Sequence, residues 1–215
     1  MTGYGDIVTP ILMGVMLGGL YALIALGLSM VFGVMRLINL AHGDFVVMGS
    51  YIAYGIMTGL GLDPLVGLVI SIPAMFGLGL VIQRYLMSRA FAISSEIPLI
   101  IAFGISLVIQ NANQIVFTPL SRALNTPYSH LSFHIGERQF PVSYLLDFIA
   151  GIIVMLLLRG FLTSTYLGRA ITAASQDKRA AQLMGINTNR VYGYAFATAM
   201  ASAAVAGVFL GMTFP

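Results

Sequence analysis

Long apolar runs alternate with short polar connections along this chain. Crossing about 30 Å of hydrocarbon takes about 20 apolar residues in a helix, and several runs are of that order. There are about six of them, with approximate bounds 7–35, 37–60, 64–85, 96–117, 142–162 and 191–211. The pattern therefore predicts an all-α, polytopic transmembrane helical bundle of about six spans. Pro73 predicts a kink within the third span.

Composition places this bundle in lipid. Of the 215 residues, 59% are hydrophobic and only 8% are charged, whereas a soluble domain carries roughly 25% charged residues. So few charges cannot cover a water-facing surface, so membrane lipid is expected around most of the molecule. The first apolar run is too long for a signal peptide, and we interpret it as a span.

The basic residues predict the orientation. Ten residues are Lys or Arg, and they are scattered along the chain, so the net charge of +3 does not point to a nucleic-acid partner. Membrane proteins retain Lys and Arg on the cytoplasmic side. Eight of the ten belong to the first, third and fifth connections: Arg36, Arg84, Arg89, Arg159, Arg169, Lys178, Arg179 and Arg190. Only Arg122 and Arg138 remain for the other side, which predicts an N-terminus outside the cell.

Two connections are longer than turns. The external one, 118–141, contains Pro119, Pro127 and the polar stretch 134–138, which predicts a short hairpin or cap that offers a docking surface. The cytoplasmic one, 163–190, contains a helical window, 170–184, which ends at Gly185 as a helix with a glycine C-cap does. A protein that only spanned the membrane would not require that helix.

Glycine recurs at helical spacing. The pairs are Gly14 with Gly18, Gly55 with Gly59, and Gly207 with Gly211. Small residues let helices approach closely in lipid, so these pairs predict helix packing rather than a pore.

An amide, an imidazole and a carboxylate stand close together before the second apolar run: Asn39, His42 and Asp44. Such groups cost free energy in lipid, which leaves two interpretations. In one, the segment is a cytoplasmic turn, with Asn39 and Asp44 capping the second helix. In the other, a helix is interrupted here and lines a translocation path, as helix breaks do in transporters.

The fourth span carries a second polar group near its outer end. Its members are Ser106, Gln110, Asn111, Asn113 and Gln114. Amides at these spacings cover more than one helix face, so they either hydrogen-bond to neighbouring helices or line the outer mouth of a path. Gln110 and Asn111 are therefore path candidates together with Asn39, His42 and Asp44. Asp147, at the outer start of the fifth span, is interpreted as an interfacial charge.

Motifs for catalysis or cofactors are missing from the sequence. There is no cysteine, no GxxxxGK[ST] loop, no GxSxG and no HExxH. His42 and Asp44 supply at most two metal ligands on one side, so no metal site is expected. We expect no enzyme activity and no cofactor in this chain, and any ATP would be bound by partner subunits.

Two stretches resemble one family. The first runs from Gly18-Gly19-Leu20-Tyr21-Ala22-Leu23 through Phe32-Gly33-Val34 to Asn39-Leu40-Ala41-His42-Gly43-Asp44. It resembles the opening of branched-chain amino acid ABC importer permeases of the LivH type. The second, from Gly168 to Arg190, resembles the coupling region of the same family, a short helix that fits a groove on the ATPase. The resemblance brackets most of the chain.

The coupling resemblance can be carried over residue by residue. Importer permeases share a Glu-Ala-Ala sequence, then three other residues and then Gly, and here Ala180, Ala181 and Gly185 keep that spacing. Arg179 stands where the Glu is expected, which puts any salt bridge from that position in doubt. The resemblance assigns ATPase coupling to Asp177, Ala180, Ala181, Gly185 and Arg190.

The resemblance also implies partners and a location. These are two ABC ATPase subunits, a second permease subunit or an identical copy, and a periplasmic or lipid-anchored substrate-binding protein, at the bacterial inner membrane. Branched-chain amino acids, other amino acids, amides and urea all remain open as substrates. The family continues through two further spans, so we expect 1–215 to be a single permease domain that lacks its C-terminal part. An ion-coupled secondary transporter or channel, with His42 and Asp44 as a proton relay, is the alternative.

Overall fold

The computed structural model describes residues 5–94, 96–118, 122–124, 126–128, 131–135 and 138–214. Helices dominate these residues, with one two-stranded sheet. The elements in chain order are α1 (Gly5–Met35), α2 (His42–Leu60), α3 (Pro64–Ile82), a π-helical turn (Gln83–Met87), α4 (Ser88–Ile93), α5 (Ile97–Phe117), β1 (Ser132–Ile135), β2 (Arg138–Pro141), α6 (Val142–Ser164), α7 (Tyr166–Gln176), α8 (Lys178–Leu183) and α9 (Thr188–Thr213).

The all-α membrane class is confirmed. Five helical segments among the described residues are long and apolar enough to cross a bilayer: Ile7–Met35, Pro64–Ile93, Ile97–Phe117, Val142–Ser164 and Thr188–Thr213. The sixth predicted span is the 19-residue helix α2, which is not apolar enough to join them because His42, Asp44 and several glycines lower its hydropathy. The third predicted span continues as a helix through Pro73. Its departure from α-helical geometry comes later, at the π-helical turn.

Helix α9 forms the centre of the bundle. Of its most apolar window, 78% is buried, against 11–28% for the other four candidate spans. Small residues, chiefly alanine, occupy most of its buried positions, and α1, α2 and α3 all pack against it. In lipid, close packing of this kind replaces the hydrophobic effect as the force that joins helices.

One of the three predicted glycine pairs lies at such a contact. Gly207 packs against the backbone of Val46 and Ser50 in α2, and Gly211 packs against Ser50 and Leu124, with no room for a larger side chain. No described heavy atom lies within 4 Å of a Cβ built on the other four, Gly14, Gly18, Gly55 and Gly59. Helical spacing of glycine alone therefore does not identify a packing interface.

The connection between α1 and α2 runs back into the bundle. It turns at Arg36, whose φ is 52°, and then buried and exposed residues alternate from Leu37 to Ala41 as they do in extended chain. His42 thereby reaches the carbonyl of Ile24, at 3.0 Å. That carbonyl lies three helical turns before the end of α1, so α2 begins inside the bundle.

The predicted helical window 170–184 is two helices. Helix α7 ends at Gln176, and Asp177 has extended backbone with φ −145° and ψ 109°. Its side chain then caps α8. The prediction of one continuous helix was wrong because Asp177 starts a new helix, whereas the predicted end at Gly185 is confirmed by its φ of 82°.

The predicted outer hairpin is present as β1 and β2. The strands are antiparallel, with Ser132 opposite Pro141 and Ile135 opposite Arg138. Gly136 and Glu137, between the strands, lie outside the described residues, as does Pro119. The docking role of this connection remains a prediction.

A carboxylate joins the outer connection to the helix bundle. The Tyr128 hydroxyl donates to Asp63 Oδ1 at 2.7 Å. The same oxygen accepts the backbone N–H of Leu65 at 2.8 Å and so caps α3. The Leu124 N–H donates to the carbonyl of Gly211 at 2.8 Å, which fixes the loop to the end of α9. Burial, followed by the hydrogen bond with Asp63 and its charge, raises the pKa of Tyr128 well above its ordinary value of 10.0.

We predict that Tyr128→Phe lowers the free energy of unfolding by about 1 kcal/mol near neutral pH, because it removes this hydrogen bond. With its raised pKa, the folded protein holds the phenol proton more tightly than the unfolded chain does. The stabilisation is therefore complete below pH 10 and is lost as the pH rises through the folded-state pKa. Denaturant unfolding of the wild type and the variant at about pH 8 and about pH 11 measures the difference.

The matched control is Tyr166→Phe, because Tyr166 is 79% exposed. It should leave stability unchanged at both pH values. If the difference in the free energy of unfolding between Tyr128→Phe and the wild type did not become smaller at high pH, the assigned hydrogen bond would be contradicted.

Candidate functional site

A cluster of three polar side chains joins α2 to α5. The Ser106 hydroxyl donates to Asp44 Oδ2, and Gln110 Nε2 donates to Asp44 Oδ1 at 3.0 Å. Gln110 Nε2 also lies 3.2 Å from Ser106 Oγ. The carboxylate therefore accepts from two side chains of the facing helix.

The local sequence explains why these groups meet. Ser106 and Gln110 are one turn apart, so they share a face of α5. Ser106 belongs to the narrow buried stripe of that helix, formed by Pro98, Ala102, Ser106 and Ile109. Gln110 is exposed and Asp44 is partly exposed, so the cluster is open on one side. A carboxylate at such a position needs water or a polar partner on its open side, because lipid does not solvate it.

His42 lies on a different side of α2 from Asp44. Its Nε2 is 3.0 Å from the carbonyl oxygen of Ile24, and it is 4% exposed. A Cβ on Gly27 would lie 2.7 Å from the imidazole Cε1, so glycine makes room for the ring. Residues two apart on a helix do not face each other, so the two groups of the proposed proton relay are directed apart.

Asn39 is buried in the extended connection before α2. Its Oδ1 accepts the N–H of Ala41 at 3.2 Å. Within the described part of the chain, Asn39 Nδ2 and His42 Nδ1 have no hydrogen-bond partner. Neither Asn39 nor Asp44 caps α2, whose N-cap Ala41 has no side-chain hydrogen bond. The prediction that these two side chains cap α2 was therefore wrong, while the interpretation of this segment as a helix break that lines a translocation path stays a prediction.

Asn111 does not join the cluster. Its Nδ2 donates to the carbonyl of Leu107 in its own helix at 2.7 Å, and the side chain is exposed. Of the five predicted path residues, the structure thus brings Asp44 and Gln110 together and leaves Asn39, His42 and Asn111 apart from them.

Asp147 is fully buried, so its interpretation as an interfacial charge was wrong. Thr213 of α9 donates to its Oδ2 at 2.8 Å, while Oδ1 has no partner among the described residues. The sequence contained a signal for this burial, because Ser143, Asp147 and Ala150–Gly151 recur at helical spacing on one face of α6. Hydropathy alone reports depth in the membrane and not which face of a helix turns inward.

Four of the five predicted coupling residues belong to α8 or to its two ends, and the fifth, Arg190, lies on the first turn of α9. Asp177 Oδ1 accepts the N–H groups of Arg179 at 2.8 Å and of Ala180 at 3.0 Å. The bonds from Ala180 and Arg179 lower the pKa of the Asp177 carboxyl. This capping keeps α8 separate from α7, and it leaves Arg179 and Ala180 exposed.

The C-terminal end of α8 closes with a glycine motif. The Gly185 N–H donates to the carbonyl of Gln182, and the Ile186 N–H donates to that of Ala181, both at 3.0 Å. This pair of bonds and the positive φ of Gly185 are those of a Schellman motif. Ala181 is 4% exposed, so the helix rests on the protein through a small residue.

An apolar surface on α8 was missed by the sequence reasoning. Leu183 is 89% exposed and Met184 is 82% exposed, on the most polar connection of the chain. Gln182 Nε2 donates to Thr188 Oγ1 at 3.0 Å, which ties this surface to the first turn of α9. Arg190 lies on that same turn, beside α8 and not on it. The exposed pair is therefore a candidate interaction surface that is joined to the first turn of α9.

Comparison with known proteins identifies relatives over almost the whole chain. The family model described as branched-chain amino acid transport system / permease component matches residues 11–214. The resemblance drawn from the residues is therefore confirmed. No solved structure gives a significant match.

Two curated relatives carry the same description. The high-affinity branched-chain amino acid transport system permease protein BraD of Pseudomonas aeruginosa is 34% identical over 219 residues, covering 94% of this chain and 69% of that protein. The corresponding permease protein LivH of Escherichia coli K12 is 34% identical over 218 residues, covering 92% of this chain and 68% of that protein.

The polar cluster predicts energetic coupling between α2 and α5. In a double-mutant cycle, Asp44→Ala and Gln110→Ala should be non-additive by about 0.6–2 kcal/mol, the range of hydrogen bonds between membrane helices. Unfolding in mixed detergent micelles measures each variant. Asp44→Ala combined with Asn111→Ala is the control and should be additive, because among the described residues Asn111 hydrogen-bonds only within its own helix. Additive effects of the first pair would show that the two helices are not joined here.

Proposed function

Because the chain belongs to the family of branched-chain amino acid transport permeases, we propose that it is the membrane-spanning subunit of an ATP-driven importer of branched-chain amino acids. The observation that carries the ATP-driven part of the proposal is α8. This helix has a capped start, a glycine-closed end and an exposed apolar pair on the side predicted to be cytoplasmic. Its ATP is hydrolysed by two separate ABC subunits.

In this mechanism α8 is the contact for the ATPase. Leu183 and Met184 enter a groove on the ATPase, while Ala181 keeps α8 close to the permease. The Gln182–Thr188 hydrogen bond and the short connection 184–187 transmit movement of α8 to α9. Because α9 packs on α1, α2 and α3, its displacement changes the packing of three helices together. Alternating access follows from that rigid-body change.

The substrate path follows the open side of the polar cluster. An amino acid carries an ammonium group, and Asp44 is a carboxylate held in place by Ser106 and Gln110. We propose that it contacts this ammonium during passage. Among the described residues the cluster is open on one side, and we propose that a second permease subunit, identical or homologous, completes the path there. A periplasmic or lipid-anchored binding protein delivers the substrate to the outer face.

The ion-coupled alternative has less geometric support. A proton relay requires its groups to be within hydrogen-bond reach, directly or through one water. His42 contacts α1 and Asp44 contacts α5, on different sides of α2. We therefore retain the ATP-driven importer as the proposal.

Uptake by proteoliposomes tests the function. The chain is reconstituted with its cognate ATPase subunits, second permease and binding protein, and uptake of labelled leucine is followed. ATP should drive uptake when the proton gradient is dissipated, and unlabelled isoleucine and valine should compete. Uptake that stops with the gradient while ATP is held constant would support the ion-coupled alternative. If only urea or amides competed with leucine, the proposed substrate class would be wrong.

The coupling role of α8 makes a separate prediction. Leu183→Ser with Met184→Ser should reduce ATPase co-purification and leucine uptake at least about tenfold, because exposed apolar anchors dominate interface energies. Thermal stability of the permease should be unchanged, since both side chains contact solvent. The control is Ile93→Ser, at a 75% exposed apolar residue of α4, which should leave both readouts intact. Normal uptake by the α8 variant would remove α8 from the coupling mechanism.

A further inference from the structure

A polar pocket of about 570 Å³ lies beside α8, between the end of α3 and the start of α9. Its walls come from α3, the π-helical turn, α4 and α9. The lining residues are Leu80, Gln83, Arg84, Ser88, Asn187, Asn189, Arg190, Gly193 and Tyr194. None of these described lining residues is acidic, so two guanidinium groups border the pocket without a carboxylate among them.

Gln83 is a buried polar residue at this pocket. It is 1% exposed, and its Oε1 has no hydrogen-bond partner among the described residues. It begins the π-helical turn Gln83–Met87, and such turns occur often at functional sites. An unpaired buried amide oxygen costs free energy unless a donor reaches it. A ligand hydroxyl in this pocket would supply that donor.

The pocket also favours a negative charge. Arg84 and Arg190 are exposed and line the pocket, so their guanidinium groups are placed to contact a bound anion. The first turn of α9, a helix of 26 residues, adds the positive end of its dipole. Asn187, Asn189 and Ser88 contribute further hydrogen-bonding groups. Together these groups fit a phosphate.

An apolar surface leads away from the pocket along the bundle. Leu80 and Tyr194 line its inner side, and Phe76, one turn before Leu80, contacts Tyr194 with ring centroids 6.5 Å apart. Tyr194 is 39% exposed and Tyr85 is 51% exposed, and tyrosines of this kind mark the membrane interface. The Arg84 guanidinium lies 5.7 Å from the Tyr85 ring centroid. A ligand with a polar anionic end and an apolar chain matches this arrangement.

We propose that this pocket binds the headgroup of an anionic phospholipid that carries hydroxyl groups, such as phosphatidylglycerol. The phosphate lies between Arg84 and Arg190, and a headgroup hydroxyl donates to Gln83 Oε1. The acyl chains follow Leu80, Tyr194 and Phe76. Basic pockets between membrane helices bind anionic headgroups through these interactions. The proposal does not depend on the transported substrate.

The site adjoins the surface that we assign to the ATPase. Arg190 is separated from α8 by one short connection, so a bound lipid would hold the start of α9 against α3 and α4. An acidic side chain of the ATPase is the competing occupant. The lipid is favoured because the pocket continues into an apolar surface, which an acidic side chain would leave uncovered.

Native mass spectrometry of the purified full chain tests the proposal. The protein is mixed with phosphatidylglycerol or phosphatidylcholine in detergent, and the bound lipid fraction is titrated. The wild type should retain phosphatidylglycerol preferentially. Arg84→Gln with Arg190→Gln should weaken that binding at least about tenfold. The charge-matched control is Arg89→Gln with Arg159→Gln, which alters two exposed arginines outside the pocket. This control should retain the binding of phosphatidylglycerol.

A second variant examines the headgroup hydroxyl. Gln83→Met preserves side-chain length and removes the unpaired oxygen. The wild type should prefer phosphatidylglycerol over phosphatidic acid roughly fivefold, the effect of about one hydrogen bond. The variant should lose this preference. Inorganic phosphate should fail to displace the lipid, because it lacks the acyl chains.

Three results would overturn the proposal. The first is equal lipid binding by the pocket variant and its charge-matched control. The second is complete displacement by inorganic phosphate, which would make this a phosphate site. The third is loss of ATPase co-purification in the Arg84/Arg190 variant with lipid binding intact, which would assign the pocket to an acidic side chain of that partner. Leucine uptake enters none of these readouts, so failure of the proposed transport function is distinguishable from failure of this site.

Discussion

Close contact between α9 and the helices around it is the constraint on which the rest of the structure depends. Lipid solvates apolar side chains as well as a protein interior does, so apolarity alone does not join these helices. Alanine and glycine on α9 let the backbones of α1, α2 and α3 approach, as the contact of Gly207 with α2 illustrates. The polar groups can then be positioned, because α2 is held at one side of α9 with Asp44 directed toward α5.

The same arrangement explains how distant parts of the molecule can act together. The surface of α8 is bonded to the first turn of α9, and α2 packs farther along that helix. The outer connection is attached at the other end, through Leu124 and Gly211. One helix therefore contacts the proposed ATPase surface, the helix α2 that carries Asp44, and the predicted outer connection. The proposed ATP-driven importer needs such a connection, since ATP would be consumed on one side while substrate arrives on the other.

Sequence reasoning succeeded where one physical property decides the structure. Apolar length predicted the five long apolar helices, and the end of α8 was predicted because Gly185 adopts a positive φ that other residues rarely accept. It failed where the position of a side chain depends on a partner far along the chain. Asp147 was interpreted as interfacial because its hydrogen-bond partner Thr213 lies 66 residues further along the chain and cannot be recognised from the local sequence. The break at Asp177 was missed because an aspartate can equally stand within a helix or cap one. For the candidate site, the residue types were visible, but the pairing of Asp44 with Gln110 required the geometry.

The central position of α9 also bears on how the protein is made. Helices α1, α2 and α3 all precede α9 in the chain, so the ribosome delivers them to the membrane before the surface that joins them exists. At about 5–20 residues per second, the interval between α3 and α9 is on the order of ten seconds. During that time the buried residues of α2, His42 among them, lack the packing that α9 provides. The insertion machinery must therefore shelter a partly polar helix until its packing partner is synthesised.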